Sequence, residues 1–257
     1  MNLLRMLTMM SIRVRNKPLV SRKHLWTGVF VSLRCFSHVY GLNVAVITGT
    51  TRNEGPPRPI LGPRVSSFVV QGLERRGHSV SIIDPRELQL KLLEKAEFSY
   101  ARSQVPEELK SLQKTLASAD AYVAITPEYN HAPSPALLNV LNHFGSSTFS
   151  FKPSAIVSYS ASQWGGTRAA NALRPILSEL GCLPVSAMVH IPKAHEVLTS
   201  EGVIEDGVDR SRWDSYIDRC LAQLEWWGEA SKEQKSRVDP FASSPAFRKS
   251  PSERDAL

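Results

Sequence analysis

AYVAITPEYNHAPSP, residues 121–135, joins a short apolar run to a loop of Pro, Glu, Tyr, Asn and His. Five of its first six residues are apolar, and Val123, Ile125 and Thr126 are β-branched. The run is too short for a buried helix and suits a strand buried on both faces. The loop then opens at the strand's carboxyl end, where open α/β sheets bind their ligands. Tyr129, between Pro127 and Asn130, offers an aromatic face and backbone amides to something flat, although the same residues also suit a plain proline-punctuated turn.

On either side of this strand, the chain alternates between strand and helix. Upstream, Leu42–Thr48 is an apolar strand run ending in Gly49-Thr50-Thr51-Arg52 and a Pro/Gly-rich loop to Pro63. From Gly62 to Arg76, Val65, Phe68, Val69 and Leu73 fall at helical spacing, with Gly77 as the stop. Ser79–Ile83 reads as a second strand, residues 86–104 as an excursion over the sheet, and Leu109, Leu112 and Leu116 as the apolar face of a helix opened by Pro106, Glu107 and Glu108. Downstream come a helix over Pro135–Phe144, a strand over Ala155–Tyr159, a helix over Thr167–Leu180 stopped by Gly181, and a fifth strand over Val185–Ile191. A last helix, Asp209–Trp227, carries Trp213, Tyr216, Ile217, Cys220, Leu221, Leu224 and Trp227 as core. This alternation predicts an α/β fold: a doubly wound, five-stranded parallel sheet with helices on both faces.

The first loop contains neither GxGxxG nor GxxxxGK[ST], so neither a dinucleotide fingerprint nor a P-loop is present. It does hold two hydroxyls, backbone amides and the Arg52 guanidinium just before a helix N-terminus. That set suits a phosphate dianion; a solvated loop with a stray arginine is the alternative. The loop Ser158–Gly166, SYSASQWGG, also follows a strand, and its paired glycines allow either close approach of backbone to a ligand or simply a tight turn. Loops after strands one, three and four converge at one end of such a sheet. A ligand there has a phosphate end and a planar end, which FMN fits.

Composition bounds the rest. The chain has 257 residues, 42% apolar and 21% charged, enough for one sizeable core with tails. Its net charge of +7 is located in residues 1–40, which hold seven basic residues and no acid; 31 less 7 leaves 24 basic residues against 24 acidic ones in the remainder. The body is neutral, so no nucleic-acid surface is indicated. Residues 1–40 have the composition of a mitochondrial presequence or a disordered leader, and Arg34-Cys35-Phe36-Ser37 resembles a processing-peptidase site. The uncharged stretch Leu25–Leu33 is too short to span a bilayer. The domain is expected over residues 41–230, with Ser231 onward, rich in Ser, Pro and charge, as a disordered tail. Cys35, Cys182 and Cys220 are widely spaced without a CxxC, so neither a disulfide framework nor a metal site is indicated.

The residues resemble the flavodoxin-like NADPH-dependent FMN reductases, a family that includes quinone and azo-dye reductases. The matching motifs are Gly49-Thr50-Thr51-Arg52, Pro127-Glu128-Tyr129-Asn130 with Asn139 behind it, and Lys152-Pro153 leading to Ser158 and Gly165-Gly166-Thr167-Arg168-Ala169, within residues 42–195. The resemblance implies that Thr50 and Arg52 bind the FMN phosphate, that Pro127, Glu128, Tyr129 and Asn130 contact the isoalloxazine, and that Ser158, Ser160, Gly165 and Gly166 wrap its pyrimidine edge. It further implies NADPH or NADH as electron donor, quinones, free flavin or similar acceptors, and a homodimer or homotetramer. Two departures stand out: Leu138 and Asn142 replace the Lys and Asp of many members, and the first loop is lengthened by Glu54 to Leu61. Because the flavin carries the hydride, no catalytic side chain is expected. Glu128 is read as a structural acceptor, and His131 as a solvated loop residue or a donor to a quinone oxygen. The same pocket would also serve a flavin-binding redox sensor that regulates a partner with little turnover.

Overall fold

The structure, a computed structural model, describes residues 41–55, 60–88 and 90–242. The expected leader and residues 243–257 lie outside them. The elements are β1 (Asn43–Thr48), α1 (Gly62–Arg75), β2 (Ser79–Ile83), α2 (Glu107–Ser118), β3 (Ala121–Tyr129), β4 (Ala132–Pro133), α3 (Pro135–Asn142), α4 (Ser146–Phe149), β5 (Pro153–Tyr159), α5 (Thr167–Glu179), β6 (Leu183–Pro184), β7 (Val189–Ile191), α6 (Ala194–Val197) and α7 (Arg210–Arg237).

The sheet runs β2-β1-β3-β5-β6, with β7 also pairing β5. Every pair is parallel except the β3–β4 hairpin. This is the flavodoxin-like doubly wound order, and its direction reverses between β1 and β3. Alternate strand residues feed opposite layers. Val44, Val46, Val123, Ile125 and Val157 pack under α1 and α7. Ala45, Ile47, Tyr122, Ala124 and Ile156 pack under α2, α3 and α5. Both faces are covered, which is why the strands read as continuous apolar runs.

Three expectations are corrected. The fifth strand is not continuous: β6 and β7 flank a break at residues 185–188. Side chains hold the break open, because the Arg174 guanidinium takes the carbonyls of Pro184 (3.2 Å), Val185 (2.8 Å) and Ser186 (3.2 Å). The Ala187 N–H goes to Gln223 Oε1 at 2.9 Å. The last helix continues to Arg237, so the segment from Ser231 is helical for seven further residues rather than tail. Finally, Trp227 is not core but 45% exposed, and Trp213 and Tyr216 are only partly buried; the buried residues of the helix are Ile217, Cys220, Leu221, Leu224 and Gly228. Gly228 fits because a Cβ there would lie 2.5 Å from Leu42 Cδ1.

The excursion over residues 86–104 holds two short 3₁₀ turns. Asn139 on α3 pins it: Oδ1 accepts the Leu93 N–H and Nδ2 donates to the Lys91 carbonyl, both at 2.9 Å. Among the described residues no helix is long and apolar enough to cross a membrane.

Candidate functional site

The first wall of the site grows from the end of β1. Gly49 has no room for a side chain, because a Cβ would stand 2.7 Å from Ser134 Oγ and 2.8 Å from the Ile125 carbonyl oxygen. Thr50 is buried, and its hydroxyl accepts the Arg52 backbone N–H at 3.1 Å. Arg52 Nη2 donates to the Gly55 carbonyl at 3.0 Å, which curls the loop around the guanidinium. α1 opens with Gly62 and Pro63; among the described residues no side chain caps it, and its first turn holds no acid. Its first N–H groups and the positive end of its dipole are therefore offered to an anion.

The second wall is the end of β3, where the strand runs on through Pro127, Glu128 and Tyr129 rather than stopping at Thr126. Pro127 lies opposite Tyr159 in register, and Tyr129 opposite Ala132 across the hairpin. Asn130 and His131 form the two-residue turn with φ of 51° and 64°. Two successive positive φ values are what a hairpin turn of the primed type requires. Ser134 then caps α3, accepting the Leu137 N–H at 3.2 Å.

Glu128 turns away from solvent with only 8% of its side chain exposed, and its Oε1 accepts from Arg168 Nε at 2.7 Å and Nη2 at 2.6 Å. Its Oε2 is buried, with no hydrogen-bond partner among the described residues. The Arg168 guanidinium also lies 5.7 Å from the centre of the Trp164 ring, joining the second wall to the third.

The third wall follows β5. Ser158 is fully buried: its hydroxyl donates to the Gly165 carbonyl at 2.8 Å and lies 2.8 Å from His190 Nδ1. Ser160 Oγ accepts the Gly165 N–H at 3.0 Å and donates to the Ser162 carbonyl at 2.8 Å. Gly165 and Gly166 have φ of 60° and 78°, and a Cβ on either would meet backbone at 2.9–3.0 Å, from Pro192 or Tyr159. Their glycine identity serves the turn itself.

Between the walls lies a cleft of about 290 Å³ at the carboxyl edge of the sheet, beside the reversal of strand order. Of the ten residues expected to meet a ligand, Thr50, Arg52, Pro127, Glu128, Tyr129 and Ser160 line it; Asn130, Ser158, Gly165 and Gly166 do not. Those four build the hairpin tip and the turn behind the wall. His131 is exposed at the same tip. Glu128 Oε1 accepts from Arg168 at the edge of the cleft.

Sequence reasoning missed Tyr159, which closes the cleft floor. Burial pushes its phenol well above the usual range. It reads as the last core residue of a strand, and nothing local marks it otherwise. The resulting donor set, a hydroxyl, a guanidinium and an uncapped helix start at one end and Pro127 and Tyr129 at the other, fits a phosphate attached to a flat ring. FMN has that chemistry.

Known proteins resemble the chain in sequence and in fold. The family described as NADPH-dependent FMN reductase matches residues 42–196. An NADPH azoreductase from Bacillus sp. strain OY1-2 is 30% identical over 197 residues, spanning 77% of this chain and 98% of that protein. A quinone reductase from Pseudomonas putida is 25% identical over 194 residues, spanning 71% and 94%. Among solved structures, the flavoenzyme NAD(P)H:(acceptor) oxidoreductase of Paracoccus denitrificans superposes with a TM-score of 0.56 at 21% identity, covering 72% of this chain and 97% of that one. The chain belongs to the NADPH-dependent FMN reductase family and is an oxidoreductase with the flavodoxin-like fold.

Proposed function

We propose that the cleft holds FMN and that the chain passes reducing equivalents from NADPH to quinones. The observation that carries this is the convergence of Thr50, Arg52 and the uncapped start of α1 on the same cleft as Pro127 and Tyr129. FMN, when bound, supplies the hydride chemistry. The chain's own residues bind and orient. Thr50, Arg52 and the α1 amides would take the phosphate, and Pro127 and Tyr129 would lie along the ring. Tyr129, 37% exposed, marks the open side on which donor and acceptor succeed one another. The named relatives, a quinone reductase and an NADPH azoreductase, support the choice of donor and acceptor class.

The test is to load the full chain with FMN and mix it with NADPH without oxygen. The flavin colour is expected to bleach, a quinone to restore it, and initial rates to follow ping-pong kinetics because both substrates use one open face. Turnover slower than about one per minute with NADPH, NADH and several quinones, against a usual range of about 1–1,000 per second, would overturn the reading and favour a redox sensor.

We further propose that the leader directs import into mitochondria and is removed near Phe36. Its seven basic residues and lack of acids support this. N-terminal sequencing of the mature protein tests it, and an intact Met1 on protein from a cytosolic fraction counts against it.

A further inference from the structure

A cleft of about 510 Å³ lies on the far side of the Gly165 turn, between the end of β7 and the first turns of α7. It is built from residues outside those the FMN reductase family matches, apart from His190 and Pro192. On α7, Arg212, Ser215, Tyr216 and Arg219 stand at i, i+3, i+4 and i+7, one stripe along the helix beside the buried one. None of the acids nearest in sequence pairs with the Arg212 or Arg219 guanidinium, although Asp209 accepts the Arg212 backbone N–H at 3.0 Å. Asp209 caps α7, Asp214 faces Arg75 and Asp218 pairs with Arg76. Neither the Arg212 nor the Arg219 guanidinium has an ion-pair partner among the described residues.

The opposite wall supplies groups that are half used. His190 Nδ1 is taken by Ser158 Oγ, whose own proton goes to the Gly165 carbonyl, so Nε2 has no partner among the described residues. The Tyr216 hydroxyl oxygen accepts the His190 backbone N–H at 3.0 Å, and its proton is left to donate. The Trp213 and Tyr216 rings stand 5.8 Å apart, tilted by 58°, and give the cleft an aromatic side.

We infer that this cleft is a second small-molecule site, for an anion carried on a flat ring. Its volume is that of a ligand pocket. Two unpaired guanidiniums two helical turns apart are matched by phosphate or carboxylate, for which Arg is the preferred partner. Trp213 and Tyr216 supply stacking surface, and His190 Nε2 and the Tyr216 hydroxyl meet polar ring edges. Occupancy is linked to the cofactor cleft by one side chain: Ser158 holds both His190 and the carbonyl of Gly165, whose N–H is held by the cleft residue Ser160.

The experiment is amide and indole NMR on the full chain, with and without FMN, titrated with adenosine 5′-monophosphate, benzoate and adenosine. One of the two anions is expected to shift the Trp213 indole and Gly165 amide signals with a Kd below about 1 mM, which identifies the anion as phosphate or carboxylate. Adenosine is expected to bind at least about tenfold more weakly than the monophosphate if phosphate is the group recognised. Arg212→Ala and Arg219→Ala are each expected to weaken the anion about fivefold to tenfold, as loss of a charge-assisted hydrogen bond does, while Arg52→Ala leaves it unchanged. Absence of shifts with both anions up to about 10 mM, or shifts that map to Tyr129 and Tyr159 and vanish in Arg52→Ala, overturns the inference.

Discussion

Arg52 carries its charge on a loop that its own side chain helps to shape, through the Gly55 carbonyl, so its removal is expected to act on ligand binding more than on the fold. Arg52→Ala should weaken FMN by roughly tenfold to a hundredfold, the equivalent of about 1.5–3 kcal/mol for a charge-assisted contact to a dianion. Arg52→Lys should recover only part, since Lys lacks the planar fork. Fluorescence titration measures both, and equal affinity for wild type and Arg52→Ala would move the phosphate elsewhere. Arg64 is a poor substitute, because its Nη1 is spent on the Leu198 carbonyl at 2.7 Å. Glu128 and Arg168 are coupled differently. Removing Arg168 leaves a nearly buried carboxylate unpaired, whereas Glu128→Gln leaves only a partly exposed guanidinium. Arg168→Met is therefore expected to cost about 1–3 kcal/mol, and to cost much less in the Glu128→Gln background. A double-mutant cycle by urea unfolding tests this; additive losses would mean that the pair contributes nothing.

At the scale of elements, the β3–β4 hairpin pays a backbone cost at its tip, where two non-glycine residues hold positive φ. His131→Gly removes the strain at 64° and is expected to stabilise the protein by about 0.5–1 kcal/mol after the extra chain entropy of glycine, with FMN affinity unchanged because His131 does not line the cleft. Chemical denaturation reads the gain, and a loss instead would show that the imidazole makes a contact worth more than the strain. The same elements show what was legible. β1, β3 and β5 announced themselves because strands covered on both faces must be apolar at every position, and Gly77 and Gly181 ended α1 and α5 where positive φ was needed. The hidden features depend on distant partners. Arg174 holds β6 and β7 apart from another helix, Gly228 lets α7 continue by packing on Leu42, and Ser158 faces inward because His190 and Gly165 hold it. Residues 231–237 combine Ser with charge, which reads as tail, yet Lys, Glu, Gln and Arg are good helix formers and Glu233 pairs with Arg237.

Across the whole molecule, the cleft and the buried Lys152 sit at opposite edges of the sheet. The cleft takes the carboxyl ends of β1, β3 and β5. At the other end of β5, about 23 Å from Tyr159 along an extended strand, Lys152 is 7% exposed. Its Nζ donates to the carbonyls of Leu116 (3.0 Å), Ala117 (2.7 Å) and Thr148 (3.2 Å) and to the Tyr122 hydroxyl (2.8 Å), tying α2, α4 and β3 to β5. Burial pulls its pKa down from 10.5 to about 7, while the carbonyls at the negative end of α2 favour the ammonium. A base whose pKa is lower folded than unfolded binds more protons in the unfolded chain between those two values. Stability from this group therefore rises with pH from about 7 towards 10.5, by up to about 1.4 kcal/mol per unit, or about 2 kcal/mol between pH 7 and 9. Cys182 and Cys220, pushed up to about 12 by burial, act in the opposite sense above about 9, since their unfolded thiols ionise first. Comparison with Lys152→Met isolates the lysine. Urea unfolding is expected to show the variant losing ground to wild type by about 2 kcal/mol as pH rises from 7 to 9. FMN affinity should stay unchanged, because the substitution lies at the edge away from the cleft. Parallel pH curves for the two proteins would mean that the four oxygens around Nζ outweigh burial and keep Lys152 charged throughout this range.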